Sequence, residues 1–284
     1  MSKQKVWFIT GASRGLGFEI TKAVLAAGDK VVATARSMKD LSSIEKLSSP
    51  ENVYVTLLDV TNEQQAKEAA AQAIEKFGSI DVLVNNAAYG MLGAVEESTD
   101  KEIRKMYDVN VFGLLHVTRA ILPYMRKQRS GHVINISSGA GLCGAEGWGL
   151  YCSTKFAVEG ITESLAPELA PLGIHVTAIE PGFFRTNFLD TSSLARTGIV
   201  IEDYSETAGK MRDFATQYNN NQPGDPAKLA QAIIRVANAD HPPVHLPLGN
   251  DTLAMYKQKV AAFGREIEEW NDVITNTNFD DVKV

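Results

Sequence analysis

The chain has 284 residues, of which 44% are hydrophobic and 22% charged, with a formal net charge of −6. That length suits one large α/β domain or two small ones, and the balance is that of a folded chain, not a disordered one. The acidic balance excludes the basic footprint of a nucleic-acid or anionic-membrane binder. Cys143 and Cys152 are the whole cysteine complement. They are too few for a disulfide framework and lack zinc-ligand spacing, so no metal is expected. Only five apolar-leaning residues precede Gly11, too short a run for a signal-peptide core or a membrane span. The expectation is a cytoplasmic protein with reduced thiols.

Short β-branched runs alternate with helical stretches over the first two-thirds of the chain. Strands are expected at 6–10, 31–35, 53–58, 82–85, 132–137 and 175–180, with helices between them, including 63–77 and 100–126. Thr61 with Gln64, and Thr99 with Glu102, have the spacing of a capping box at a helix start. Gly28 and Gly78 stand where two helices should stop. Six strands separated by helices predict a doubly wound parallel sheet of Rossmann type covered on both faces, since parallel crossovers need a dozen residues or more. Their nearly continuous apolar character agrees with that. With no repeat and no linker, 1–284 reads as one domain.

The alternation stops after residue 180. Residues 183–226 show no clear period, and a long irregular stretch in a compact domain reads as a substrate lid. Helices at 226–239 and 252–270 flank a short strand at 244–246, and 250–284 forms a C-terminal extension.

After the first strand comes the run Gly11, Ala12, Ser13, Arg14, Gly15, Leu16, Gly17. Glycine lets backbone approach a pyrophosphate closely, and the following helix aims free N–H groups and its positive dipole end at the anion. The second strand ends at Arg36, with no acid until Asp40. NAD sites commonly hold the ribose with an acid there, whereas arginine suits the 2′-phosphate of NADP. Arg14 and Arg36 are the candidate jaws of that clamp, and NADP(H) is the expected cofactor.

Tyr151 and Lys155 are one helical turn apart, on one face. An ammonium beside a phenol favours the phenolate, which makes Tyr151 a usable acid or base. Ser138 closes a strand at the carboxyl edge of the sheet, where its hydroxyl can bond a substrate oxygen. Asn110 lies inside the long helix at 100–126, where a buried amide could hold a water and locally open the helix.

Seven segments in order, TGASRGLG (10–17), LDV (58–60), NNAA (85–88), DVNVFG (108–113), INISS (134–138), YCSTK (151–155) and PGFFRT (181–186), resemble the short-chain dehydrogenase/reductase superfamily. The resemblance covers roughly the first two-thirds of the chain and implies a catalytic tetrad of Asn110, Ser138, Tyr151 and Lys155. It implies that Tyr151 protonates the carbonyl oxygen as hydride arrives, Ser138 polarises the carbonyl, Lys155 bonds the nicotinamide ribose and lowers the Tyr151 pKa, and Asn110 holds a relay water. It also implies that Asp59 reaches the adenine with the Val60 backbone beside it, and that Asn86 and Ala87 line the adenine ribose. Pro181, Gly182 and Thr186 would border the nicotinamide. Ala88 replaces the family's usual glycine, a one-methyl change that predicts a small local shift.

Leu142, Trp148, Phe183 and Phe188 are candidates for an apolar substrate pocket, fitting a hydrophobic ketone or aldehyde. The resulting expectation is an NADPH-dependent carbonyl reductase, reversible to alcohol oxidation. The alternatives are a cofactor-retaining isomerase or dehydratase and a non-catalytic NADP(H)-binding regulator. A homodimer or homotetramer is expected, with a small-molecule substrate and no nucleic-acid or membrane partner. The resemblance places the pairing surfaces on the helices at 100–126 and 150–172.

Overall fold

In chain order, β1 (Val6–Ile9) leads into α1 (Gly15–Ala26), then β2 (Lys30–Ala35), α2 (Met38–Glu45), β3 (Val53–Leu57), α3 (Glu63–Phe77), β4 (Val82–Asn85) and the short β5 (Gly90–Leu92). There follow α4 (Asp100–Tyr107), α5 (Leu114–Gln128), β6 (Gly131–Ile136), α6 (Gly149–Leu169), β7 (Ile174–Pro181) and the short β8 (Leu194–Arg196). The chain continues through α7 (Lys210–Tyr218), α8 (Pro226–Ala237), β9 (His245–Leu248), α9 (Asn250–Glu269) and α10 (Asn271–Thr275). This computed structural model describes residues 4–279. The ends of the expected 1–284 domain and of the 250–284 extension lie outside the described residues.

Seven strands form one parallel sheet in the order β3-β2-β1-β4-β6-β7-β9. Order reverses beside β1, which opens a crevice at the carboxyl ends of β1 and β4 where such sheets bind ligands. Side chains alternate between the two faces along each strand. In β1, Trp7 and Ile9 join the core under α1, α2 and α8, whereas Val6 and Phe8 join the core under α3, α5 and α6. Burial on both faces explains why these strands read as apolar runs. The six expected strands are present with ends shifted by a residue or so, and β9 adds the seventh at 245–248, where 244–246 was expected.

Three local expectations need correction. Asn62, not Thr61, caps α3, accepting from the N–H groups of Gln64 and Gln65 at 3.0 and 3.1 Å. The Thr61 hydroxyl is engaged instead by Asp59 at 2.8 Å. Thr99 and Glu102 do form the box at α4. The helix expected over 100–126 is broken by a π-helical turn at Asp108–Gly113, centred on the buried Asn110. Segment 183–226 is not irregular throughout: it holds β8, which pairs with β5, and α7. Gly78 closes α3 in the left-handed region (φ 79°), as its position predicts.

Candidate active site

A cleft of about 1160 Å³ lies across the carboxyl ends of the sheet strands and beneath the segment after β7. Its floor at one end is the turn between β1 and α1. Gly11 (φ 63°) and Gly15 (φ 56°) hold backbone that side chains resist. A Cβ on Gly11 would also come within 3.0 Å of the Ala87 Cα. Ser13, Arg14, Gly15 and Leu16 line the cleft beside Gly11. Gly17 does not reach it. There a Cβ would collide with the Gly11 carbonyl oxygen, so this glycine lets α1 pack against its own entry loop.

Thr10 and Asn86 brace the turn. The Thr10 hydroxyl accepts from the N–H groups of Asn86 and Ala87 at 2.9 and 3.0 Å. The Asn86 amide donates to the carbonyls of Thr10 and Gly11 at 2.9 and 3.0 Å. Asn86, Ala87 and Ala88 all line the cleft, and the Asn86 side chain is spent on the loop. Arg36, Asp59 and Val60 form the wall at the ends of β2 and β3. Arg36 is exposed and without a hydrogen bond among the described residues. Arg14 donates to the Ser192 carbonyl at 2.6 Å, which ties the glycine turn to the segment above it.

At the other end Ser138, Tyr151 and Lys155 line the same cleft. Tyr151 and Lys155 lie on α6, and Ser138 follows β6. The Ser138 oxygen accepts from the Ala140 N–H at 3.1 Å, leaving its own hydrogen to donate elsewhere. The Tyr151 ring packs against Trp148 and Phe188, with centroids 5.9 and 5.6 Å away. Burial among these rings pushes the phenol pKa up, and a hydrogen bond with Ser138 pulls weakly the other way. The i, i+4 spacing with Lys155 had predicted a lowered value. The ammonium instead donates to the Ile136 carbonyl at 2.8 Å and lies 5.7 Å from the Tyr151 ring centre. Burial also lowers Lys155 to about 8, opposed by the carboxylate of Glu159.

Asn110 stands behind the cleft. Its amide oxygen accepts from the Tyr89 N–H at 3.1 Å, and its nitrogen donates to the Tyr89 carbonyl at 2.9 Å and the Thr154 hydroxyl at 3.2 Å. It thereby joins the π turn to α6 between Tyr151 and Lys155. Pro181, Gly182 and Thr186 line the cleft after β7. Asp251 holds that turn by accepting from the Phe183 N–H at 2.7 Å, and any side chain on Gly182 would collide with its carboxylate.

Of the expected pocket residues, Trp148, Phe183 and Phe188 line the cleft and Leu142 does not. The 3₁₀ turn at Gly139–Gly141 repeats every three residues and so presents Ala140 and Cys143 to the cleft instead. Phe183 packs edge-on against Phe214 and Tyr218, at 5.9 and 5.2 Å, anchoring α7.

Two buried groups gave no sequence signal. Glu97 is fully buried and ion-paired with Arg212 of α7. Burial raises its pKa, but N–H donors from Ile201 and Ala94, with Arg212, outweigh burial and hold it low. Beside Lys155, Glu159 and Glu180 share His245, whose Nδ1 lies 3.2 and 2.9 Å from them. Their ligand atoms sit within 4.8 Å of one another, and burial pushes both carboxyl pKa values up, that of Glu180 to about 7 with the neighbouring Glu159 adding to it.

The short chain dehydrogenase family model matches residues 5–196, and the chain belongs to that family. It is 36% identical over 269 residues to Oxidoreductase BOA17 of Botryotinia fuckeliana, covering 95% of this chain and 97% of that one. A short-chain dehydrogenase from Streptomyces avermitilis superposes with a TM-score of 0.91 at 39% identity, covering 98% of this chain and all of the other. ElxO with bound NADP superposes at 0.73 with 30% identity, covering 89% and 100%. The protein is therefore an oxidoreductase of the short-chain type. Among the described residues no helix is long and apolar enough to cross a membrane.

Proposed function

We propose that the protein is an NADPH-dependent carbonyl reductase, reversible to alcohol oxidation, acting on a hydrophobic ketone or aldehyde. One observation carries this reading: Ser138, Tyr151 and Lys155 face the same cleft as the glycine turn. The residues fit the cofactor, because Gly11 leaves a cradle that a Cβ would fill and backbone N–H groups of the turn and of α1 suit a pyrophosphate. When bound, NADPH supplies the hydride. Arg36, with Arg14, holds the 2′-phosphate. Asp59 and Val60 meet the adenine, and Pro181, Gly182 and Thr186 border the nicotinamide.

Ser138 donates to the substrate oxygen and fixes the carbonyl. Tyr151, whose raised pKa keeps its proton on, delivers that proton to the same oxygen. Lys155 binds the nicotinamide ribose and favours the phenolate left behind. The second lone pair of the Asn110 amide oxygen is the place for the relay water. Residues 183–226 serve as the substrate lid, and Trp148 and Phe188 give the pocket its apolar walls. The enzyme is cytoplasmic and works as a homodimer or homotetramer.

The test is NADPH and NADH oxidation against aromatic ketones, aldehydes and ketosteroids, for the wild type and Tyr151→Phe. Turnover with NADPH that vanishes in the variant while NADPH affinity holds supports the reading. Turnover in the variant within tenfold of wild type removes Tyr151 from its role. Cofactor binding without redox change on any substrate hands the site to an isomerase or a sensor.

A further inference from the structure

The connection between α7 and α8 is pinned to the segment after β7. Phe184 and Gly224 form an isolated parallel bridge. The Arg185 N–H donates to the Gly224 carbonyl at 2.9 Å, and the Gly224 N–H donates to that of Phe183 at 3.0 Å. A Cβ on Gly224 would collide with the Phe184 ring, so a glycine is needed for this approach. The Arg185 Nε donates to the Gln222 carbonyl at 3.0 Å. These bonds fix where the Gln222 side chain starts.

Gln222 is 1% exposed and lines the cleft. Its side-chain nitrogen faces the Thr186 carbonyl at 3.5 Å, which sets the orientation of the amide, because only the nitrogen can donate to a carbonyl. The other end, Oε1, is buried and accepts no hydrogen bond among the described residues. Leaving a buried acceptor without a donor is costly, and folded chains keep few of them.

Thr186 indicates which donor belongs there. A Cβ on Gly15 would lie 3.8 Å from the Thr186 Cβ, so Thr186 stands against the glycine turn. Two residues on, Phe188 packs against the Tyr151 ring at 5.6 Å. The segment thus spans the gap between the pyrophosphate turn and the proton donor. Given the nicotinamide cofactor proposed above, on which this inference rests, the hydride-bearing ring lies in that gap. The ring carries one carboxamide, with two N–H donors and one carbonyl oxygen. The Thr186 hydroxyl accepts from the Phe188 N–H at 3.3 Å, which leaves its own hydrogen for the carboxamide oxygen. Gln222 supplies the complementary acceptor. A ketone or aldehyde substrate brings no donor of its own at the reacting group.

We propose that Gln222 binds the cofactor, its amide oxygen accepting from a carboxamide N–H of the nicotinamide while Thr186 donates to the carboxamide oxygen. Holding both ends of the amide holds the attached ring against rotation.

The experiment is calorimetric titration of the full chain with three ligands. They are NADP+, its acetylpyridine analogue, in which a methyl replaces the carboxamide nitrogen, and the adenosine bisphosphate fragment that lacks the ring. Wild type should bind NADP+ about tenfold more tightly than the analogue. Gln222→Met, similar in volume but without a strong acceptor, should weaken NADP+ about tenfold. The analogue and the fragment should stay within twofold, so that the preference disappears. Should that variant fail to fold, Gln222→Leu serves in its place. The same series without the 2′-phosphate replaces the first where NAD proves the tighter ligand. Equal losses on NADP+ and the analogue overturn the proposal, as does a wild type that binds the two alike. Unchanged affinities with a raised substrate KM overturn it in favour of a substrate contact. A wild type that binds neither series overturns the dinucleotide reading itself, and this proposal with it.

Discussion

The ammonium of Lys155 donates to the carbonyl oxygen of Ile136 across 2.8 Å, tying α6 to the end of β6. Burial lowers this lysine from its ordinary 10.5 to about 8, against the pull of Glu159. The unfolded chain therefore binds more protons between pH 8 and 10.5, so this group's contribution makes stability rise with pH through that window. Below pH 8 the cost of the buried charge is complete, about 3 kcal/mol for a displacement of that size. Part of it is offset by the bond to Ile136. Lys155→Met should stabilise the ligand-free protein at pH 7 by about 1–2 kcal/mol, an advantage that vanishes near pH 10. Urea denaturation at the two pH values measures it, and a gap independent of pH would mean that the lysine is not displaced.

Arg36 stands exposed at the end of β2, on the cleft wall with Asp59. Arg36→Asp should weaken NADPH at least tenfold, since a charge-assisted phosphate contact is lost and a like charge is added. NADH should bind as well as before or better. Fluorescence titration with both nucleotides checks this, and equal losses would take Arg36 out of the phosphate clamp.

Most of the sheet was legible because a buried parallel strand has only one economical sequence, an apolar β-branched run, and β1, β2, β4 and β6 all have it. The glycine turn and the Tyr151–Lys155 spacing were legible because both are local. What escaped depends on tertiary surroundings. Spacing put Lys155 beside Tyr151, but only packing against Trp148 and Phe188 shows that burial dominates the phenol. The stretch 100–126 reads as one helix, since a π turn needs the Tyr89 backbone, 21 residues from Asn110, to reward it. Leu142 was misplaced by a 3₁₀ turn that a helical or strand period does not describe.

His132 illustrates the same dependence in the core. It is buried on β6, its Nε2 2.9 Å from the Thr177 hydroxyl and its ring 5.8 Å from that of His175. Burial, with His175 and Lys5 adding to it, lowers its pKa from 6.5 to about 3. Between those values the unfolded chain binds the extra proton, so stability falls as pH drops below 6.5. The loss reaches about 2 kcal/mol by pH 5. His132→Gln should flatten that part of the pH–Tm profile, and an unchanged slope between pH 6.5 and 5 would show that the acid sensitivity lies elsewhere.

Arg212 of α7 and Glu97, separated by 115 positions, hold the segment after β7 against the body of the protein. Arg212 also donates to the Thr197 hydroxyl at 3.2 Å. Removing the guanidinium leaves a carboxylate in a fully buried site, where breaking one partner of a pair costs far more than the pair contributes. The N–H donors of Ile201 and Ala94 remain at 2.9 and 2.7 Å and soften the loss. Arg212→Leu should therefore destabilise the protein by about 2 kcal/mol. Because α7 carries Met211 and Phe214 into the cleft, substrate KM should rise several-fold while NADPH affinity at the glycine turn is kept. Arg212→Lys restores a cation without the planar fork and should recover part of both effects. Thermal melts and substrate titrations of the two variants decide it. Equal rises in KM for both, with no change in Tm, would mean that the ion pair does not hold α7 in place.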